Sequence, residues 1–173
     1  MKPVKRLRLS RPMTARAVAR SAASLEEYGR NLRDWFHEIR HFSSRKQLAD
    51  AVRVRPPQMA ARLEQGAIAD AFLAGQVEYL CRRAGLRPPR WTRDDCYVLA
   101  EPWFSLPGRR DRTQLLLLTP VEFRNRNVFT TSEIDFVPRR GRPTVSAAAK
   151  REKSRLRQRR YRQRRALSLK SGE

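Results

Sequence analysis

The chain has 173 residues and a formal net charge of +22, enough length for one ordinary domain plus tails. No apolar run approaches the roughly 18 residues of a membrane span. The basic N-terminus lacks the apolar stretch of a secretory signal, which leaves an organellar transit peptide as the alternative to a plain cytoplasmic chain. The charge is unevenly placed: residues 1–20 carry seven Lys/Arg and no acid, residues 139–173 carry fourteen and two, and residues 21–138 carry eighteen and fifteen. Of the 39 basic residues 33 are Arg. Codon bias would raise Arg everywhere, and would not gather it at both ends around a balanced centre. Such a distribution predicts two solvated arms that seek anions, flanking a near-neutral core.

In chain order, residues 1–22 show no helical apolar period and are expected to form a basic, flexible arm. Ser24 with Glu27 makes a capping-box pattern. After it Leu25, Tyr28, Leu32, Trp35, Phe36, Ile39 and Phe42 recur at steps of three and four, which predicts an amphipathic helix over residues 25–41. Ser43 or Ser44 can cap a second helix carrying Leu48 and Val52. Pro56-Pro57 interrupts it, because Arg55 precedes a proline and is pushed out of helical geometry. A third short helix is expected over residues 57–65, with proline tolerated in its first turn. Ile68, Phe72, Leu73, Val77, Leu80 and Cys81 mark a fourth helix, with Gly85 as its C-terminal cap.

The rest of the centre is less regular. "LRPPRW" is an extended link, and Thr92 with Asp95 suggests another capped short helix. "EPWFSLPG" (residues 101–108) is an aromatic loop. "TQLLLL" (residues 113–118) is short enough for a strand and leucine-rich enough for a helix, buried in either case. Thr119-Pro120-Val121-Glu122 is again a helix start. The expected fold is therefore mainly α: a small helical core domain over residues 23–137, a disordered basic arm before it, and a disordered basic segment over residues 138–173. Cys81 and Cys96 form no metal-ligand spacing and are expected as reduced thiols in the cytoplasm.

"YGRNLRDWFHEIR", "SSRKQL", "IADAFLAGQVEYLCRRAGLRPPRW", "EPWF" and "TPVEFRNRNVF" together resemble a family of uncharacterised small bacterial proteins, over about residues 28–129. The resemblance implies a small, mainly helical intracellular domain and no settled activity. It also admits a protein-interaction role for the core, such as that of an antitoxin-like partner.

Three motifs carry chemistry. "HEIRH" (residues 37–41) matches H-E-x-x-H, in which two histidines one turn apart hold zinc and the glutamate polarises water. On a helical wheel His37 and His41 point away from the apolar stripe, and they are the chain's only two histidines. A third ligand would have to be Asp, Glu or Cys. A solvent-facing coincidence is the expectation, with no metal, no cofactor and no catalytic residue, and a zinc hydrolase is the remote alternative. "KQLADAVRVRPPQMAARLEQG" (residues 46–66) resembles the helix-turn-helix of phage repressor-like proteins, although Arg53 stands where the turn usually has glycine, Pro56-Pro57 opens the reading helix and the spacing from Leu48 to Leu63 is one residue too long; two ordinary core helices with a proline hinge are the alternative.

The third motif, "RRGRP", resembles an AT-hook. Gly141 lets the backbone sit on the floor of a narrow minor groove. Arg140 and Arg142 extend along it, and Arg139 adds charge. A·T-rich DNA is favoured because its groove is narrow and strongly negative and lacks the guanine amino group. The following "AAAKREKSRLRQRRYRQRR" has good helix formers and no apolar stripe. It is expected to be helical on an anion that neutralises it. It resembles a leucine-zipper basic region with too short a continuation for a zipper. Its expected phosphate contacts are Lys150, Arg151, Arg155, Arg157, Arg159, Arg160, Arg162, Arg164 and Arg165. RNA suits such a segment as well as DNA does. The sequence thus predicts a non-enzymatic, nucleoid-associated DNA-binding protein with a regulatory role. An RNA-binding protein or a protein-interaction module is the alternative.

Overall fold

The computed structural model describes residues 11–131 together with residues 154, 155, 157 and 158. The chain divides into two compact units, Met1–Arg139 and Arg140–Glu173. Among the described residues the first unit is mainly helical, as expected, with a minimal two-stranded sheet. Of the second unit, Ser154, Arg155, Arg157 and Gln158 are described, and each is helical and exposed. No helix among the described residues is long and apolar enough to cross a membrane.

The first helix corrects the flexible-arm expectation for residues 15–22; residues 1–10 of that arm lie outside the described residues. Helix α1 spans Ala15–Arg20, and Thr14 caps it by accepting the Ala17 N–H at 3.1 Å. Ala15, Val18, Ala19 and Ala22 lie at the helical steps of three and four and are fully buried. Their small size hides the period, because the intervening positions are mostly arginine or polar. The close approach they allow brings α1 against its neighbours. Arg62 then ties the C-terminal end down, donating to the Ala19 carbonyl at 2.8 Å and the Ala22 carbonyl at 3.3 Å.

Helix α2, Leu25–Ile39, follows the predicted stripe. Tyr28, Leu32, Trp35, Ile39 and the following Phe42 are buried, whereas Leu25 is exposed and Phe36 only partly covered. Ser24 caps the helix through the Glu27 N–H, while the Glu27 carboxylate reaches back one residue further, to the Ala23 N–H at 2.9 Å. Helix α3, Arg45–Val52, has a complete capping box between Ser44 and Gln47.

The helix expected over residues 57–65 does not form; this stretch is extended chain and turn. Two neighbours explain it. Pro56-Pro57 holds the entry extended, and the buried Asp70 carboxylate captures the Met59 N–H at 2.8 Å and the Ala60 N–H at 2.8 Å. Gln65, with φ of 56°, then turns the chain into helix α4, Gly66–Arg83. A Cβ on Gly66 would lie 2.3 Å from the Met59 carbonyl oxygen, so the loop can close on the helix only at glycine. Without a second helix in residues 57–65, the helix-turn-helix resemblance has no reading helix.

Helix α4 is buried on nearly every side and contacts α1, α2 and α3. It ends in a Schellman arrangement. Gly85, at φ of 66°, donates to the Arg82 carbonyl and Leu86 donates to the Cys81 carbonyl. Two 3₁₀ turns follow, Arg90–Arg93 and Asp95–Tyr97, in place of a single capped helix. They press Trp91 and Tyr97 edge to face at 5.3 Å, with the Trp91 indole N–H donating to the Val52 carbonyl at 3.0 Å.

The aromatic loop contains strand β1, Trp103–Phe104, which pairs in parallel with β2, Val128–Phe129. Between them lie helix α5, Arg109–Leu118, and helix α6, Val121–Arg124. The leucine run is therefore helical, but only Leu115 of it is buried. Thr119, extended before Pro120, ends α5. Arg126 locks this half to α4. It is buried, with Nη2 2.7 Å from the Glu78 carboxylate and further bonds to the Thr92 and Glu122 carbonyls.

Candidate nucleic-acid interface

Of the residues that the sequence assigns to DNA, Arg155 and Arg157 are described, both exposed on helical backbone. That places two guanidinium groups in water, where they can reach phosphate. Arg139, Arg140, Gly141, Arg142, Lys150, Arg151, Arg159, Arg160, Arg162, Arg164 and Arg165 lie outside the described residues.

The folded domain contributes a second basic feature that sequence reasoning missed. Arg16 and Arg20, one turn apart on α1, line a cleft of about 310 Å³ with Arg55, Pro56 and Pro57. Arg55 is held on the Asp94–Tyr97 segment: Nη1 lies 3.3 Å from Asp94 Oδ2, Nη2 donates to Cys96 Sγ at 3.5 Å, and its guanidinium sits 5.9 Å from the centre of the Tyr97 ring. A second cleft of about 500 Å³ lies along the same helix and shares Arg20 with the first. Its other cation, Arg11, is paired with Glu38 at 3.1 Å. Once residues 1–22 are taken as a loose arm, their arginines have no fixed place. The small-residue period of Ala15, Val18, Ala19 and Ala22 behind the Thr14 cap was the available signal.

The H-E-x-x-H pattern starts in the last turn of α2 and ends beyond it, since the helix stops at Ile39 and His41 lies in the turn that follows. His37 and His41 are both exposed, their ring centres 4.5 Å apart. The His41 Nδ1 is turned onto the His37 carbonyl at 2.7 Å. Arg11 engages the first two residues of the pattern: its Nη1 lies 3.2 Å from His37 Nδ1 and 3.1 Å from Glu38 Oε1. That hydrogen bond from Arg11 is the main reason the Glu38 carboxyl is held below the usual range. A carboxylate neutralised by arginine is a poor general base. Among the described residues no group of three His, Cys, Asp or Glu side chains gathers at a common point.

Two buried carboxylates outside this face have structural partners. Burial pushes the Asp70 carboxyl up, against the lowering effect of the Met59 and Ala60 N–H groups it accepts. Glu78 is occupied by Arg82 and Arg126. Compared with family models, with curated proteins and with solved structures, the chain finds no match.

Proposed function

We propose that the protein binds nucleic acid without catalysing a reaction, with double-stranded DNA as its partner and the A·T-rich minor groove as its preferred surface. One observation carries this reading: two strongly cationic terminal segments flank a centre in which eighteen basic residues are nearly balanced by fifteen acids. Phosphate attraction supplies most non-specific affinity, so a charge distribution of this kind acts on nucleic acid before any sequence is read. Arg140, Gly141 and Arg142 read groove width. The basic segment from Lys150 to Arg165 grips phosphate, and the exposed, helical Arg155 and Arg157 suit that role. The place that fits such a protein is the cytoplasm, on the nucleoid, where occupancy of A·T-rich DNA serves regulation.

Gly141→Val tests the groove component, because it keeps every charge and adds bulk at the point of closest approach. Binding followed by fluorescence anisotropy should weaken roughly tenfold on an A·T-rich duplex, the scale of one lost groove contact. It should hardly change on a G·C-rich one. Equal loss on both would reduce "RRGRP" to a charged hinge. Preference for RNA over either duplex would replace the DNA reading with the RNA one.

A second reading, a protein partner for the helical domain, is favoured by one observation. Leu116, Leu117 and Leu118 at the end of α5 and Val121 at the start of α6 are each exposed and close in sequence, Leu117 at 76%. Apolar groups gathered on a surface mark interaction sites. Leu117→Asp should then abolish a dimer or a co-purifying partner in light scattering at unchanged melting temperature. Identical behaviour to wild type would remove this reading.

A further inference from the structure

The geometry of α1 points to a phosphodiester-binding cleft on the folded domain itself, formed by Arg16, Arg20 and Arg55. The inference rests on the nucleic-acid reading and names a contact that the arginine-rich C-terminal segment does not supply.

Arg16 and Arg20 stand at i and i+4, so their side chains share one helix face and repel each other. No acid lies in residues 15–20 to relieve them. Among the described residues neither has an ion pair or a hydrogen bond from its side chain, although Arg11, Arg30, Arg55, Arg82 and Arg126 all do. Arg55 converges on the same cleft from the loop after α3. Asp94 offsets one of the three charges and fixes the Arg55 guanidinium, with Tyr97 beneath it. One cation is thus positioned before any ligand arrives, which lowers the ordering cost of binding. The guanidinium fork matches phosphate oxygens, and an anion bridging Arg16 and Arg20 turns their mutual repulsion into attraction.

Two features favour a polymer over a single phosphate. The cleft is bordered by the buried Pro56 and the exposed Pro57, whose rigid apolar ring suits the sugar between phosphates. Arg20 also lines the adjoining cleft of about 500 Å³, whose other cation, Arg11, is offset by Glu38, so the groove itself, rather than its free charge, continues along α1. A nucleic-acid backbone, with phosphates at regular intervals, fits that continuity.

The test is the salt dependence of duplex binding by the full chain. Each neutralised phosphate contributes about 0.9 to the slope of log K against log salt. Arg16→Gln with Arg20→Gln should therefore make the slope shallower by about two, and each single change by about one. Arg16→Lys with Arg20→Lys, which keeps the charge, should restore it. The melting temperature of the glutamine variant should match wild type, since both side chains project into solvent. If that variant does not fold, the two single changes decide the matter. An unchanged slope in a wild type that binds steeply would overturn the cleft and leave the nucleic-acid reading standing. No duplex or single-strand binding by wild type would overturn both. A second arm uses inorganic phosphate against chloride at matched ionic strength. Thermal stabilisation by phosphate that the glutamine variant abolishes, with the DNA slope unmoved, would make this a free-phosphate site and overturn the assignment.

Discussion

Asp70 shows how a single side chain decides a local fold. Its buried carboxylate accepts the Met59 and Ala60 N–H groups and so holds the turn that enters α4. Asp70→Asn places a donor where an acceptor is needed and should cost about 1–3 kcal/mol in urea unfolding. The pH dependence has a definite sign. Burial raises the folded-state pKa above the unfolded value. The associated stability is therefore present in full below the unfolded carboxyl pKa and is lost as pH rises through the raised one. Asp70→Asn should lack this decline, so comparing midpoints of the two proteins at acid and neutral pH checks it. The thiols give a second contrast. Burial pushes Cys81 up to about 12, with the Glu78 charge adding to the effect, whereas Cys96 is exposed. A native-state thiol assay near pH 7.5 should count one fast group, absent in Cys96→Ser. Two fast thiols would contradict the placement of Cys81 in the core.

At the scale of elements, α1 separates a folded N-terminal segment from a loose arm. Val18 is fully buried against the helices around it, so Val18→Ala should cost about 2 kcal/mol by lost burial and a residual cavity. A change with no effect on the thermal midpoint would return residues 15–22 to the solvent. What the sequence disclosed here followed the size of the apolar side chains. The bulky stripe of α2, from Tyr28 to Phe42, was legible, and so were the Ser44 cap and the Gly85 terminator, because each is a local device with its own physical requirement. Helix α1 was not, since alanines give too weak a pattern among arginines. Residues 57–65 have helix-forming composition, and tertiary capture of their N–H groups by Asp70 overrides it. The strands β1 and β2 are two residues each and pair across 24 intervening positions, a relation no local pattern encodes. The run of leucines in α5 suggested burial, yet a helix standing on Leu115 alone leaves the others in water. Of the candidate interface, the terminal arginines were visible as composition. The Arg16, Arg20 and Arg55 cleft was not, because it needs α1 and the proline loop brought together.

For the whole molecule, charge is the property that decides behaviour. The net charge of +22 resides mainly at the two ends. Residues 139–165 alone hold 13 of the 39 basic side chains. Those charges are screened by salt, and affinity that depends on them must fall steeply as salt rises. Affinity carried by an apolar surface such as the exposed leucines of α5 would be insensitive to salt or rise with it. The contrast separates the proposed nucleic-acid role from the alternative protein-interaction role. The measurement is binding to a duplex between about 50 and 200 mM salt, for the full chain and for a chain lacking residues 139–173 whose helical content is verified by circular dichroism. With about eight phosphates neutralised, the full chain should give a slope near −7, and removal of the C-terminal segment should flatten it sharply, leaving only the shallow remainder due to the folded domain and the N-terminal segment. A slope that survives the deletion unchanged, or a full chain that binds no nucleic acid at any of these salt concentrations, would contradict the C-terminal arginines as the main grip on DNA.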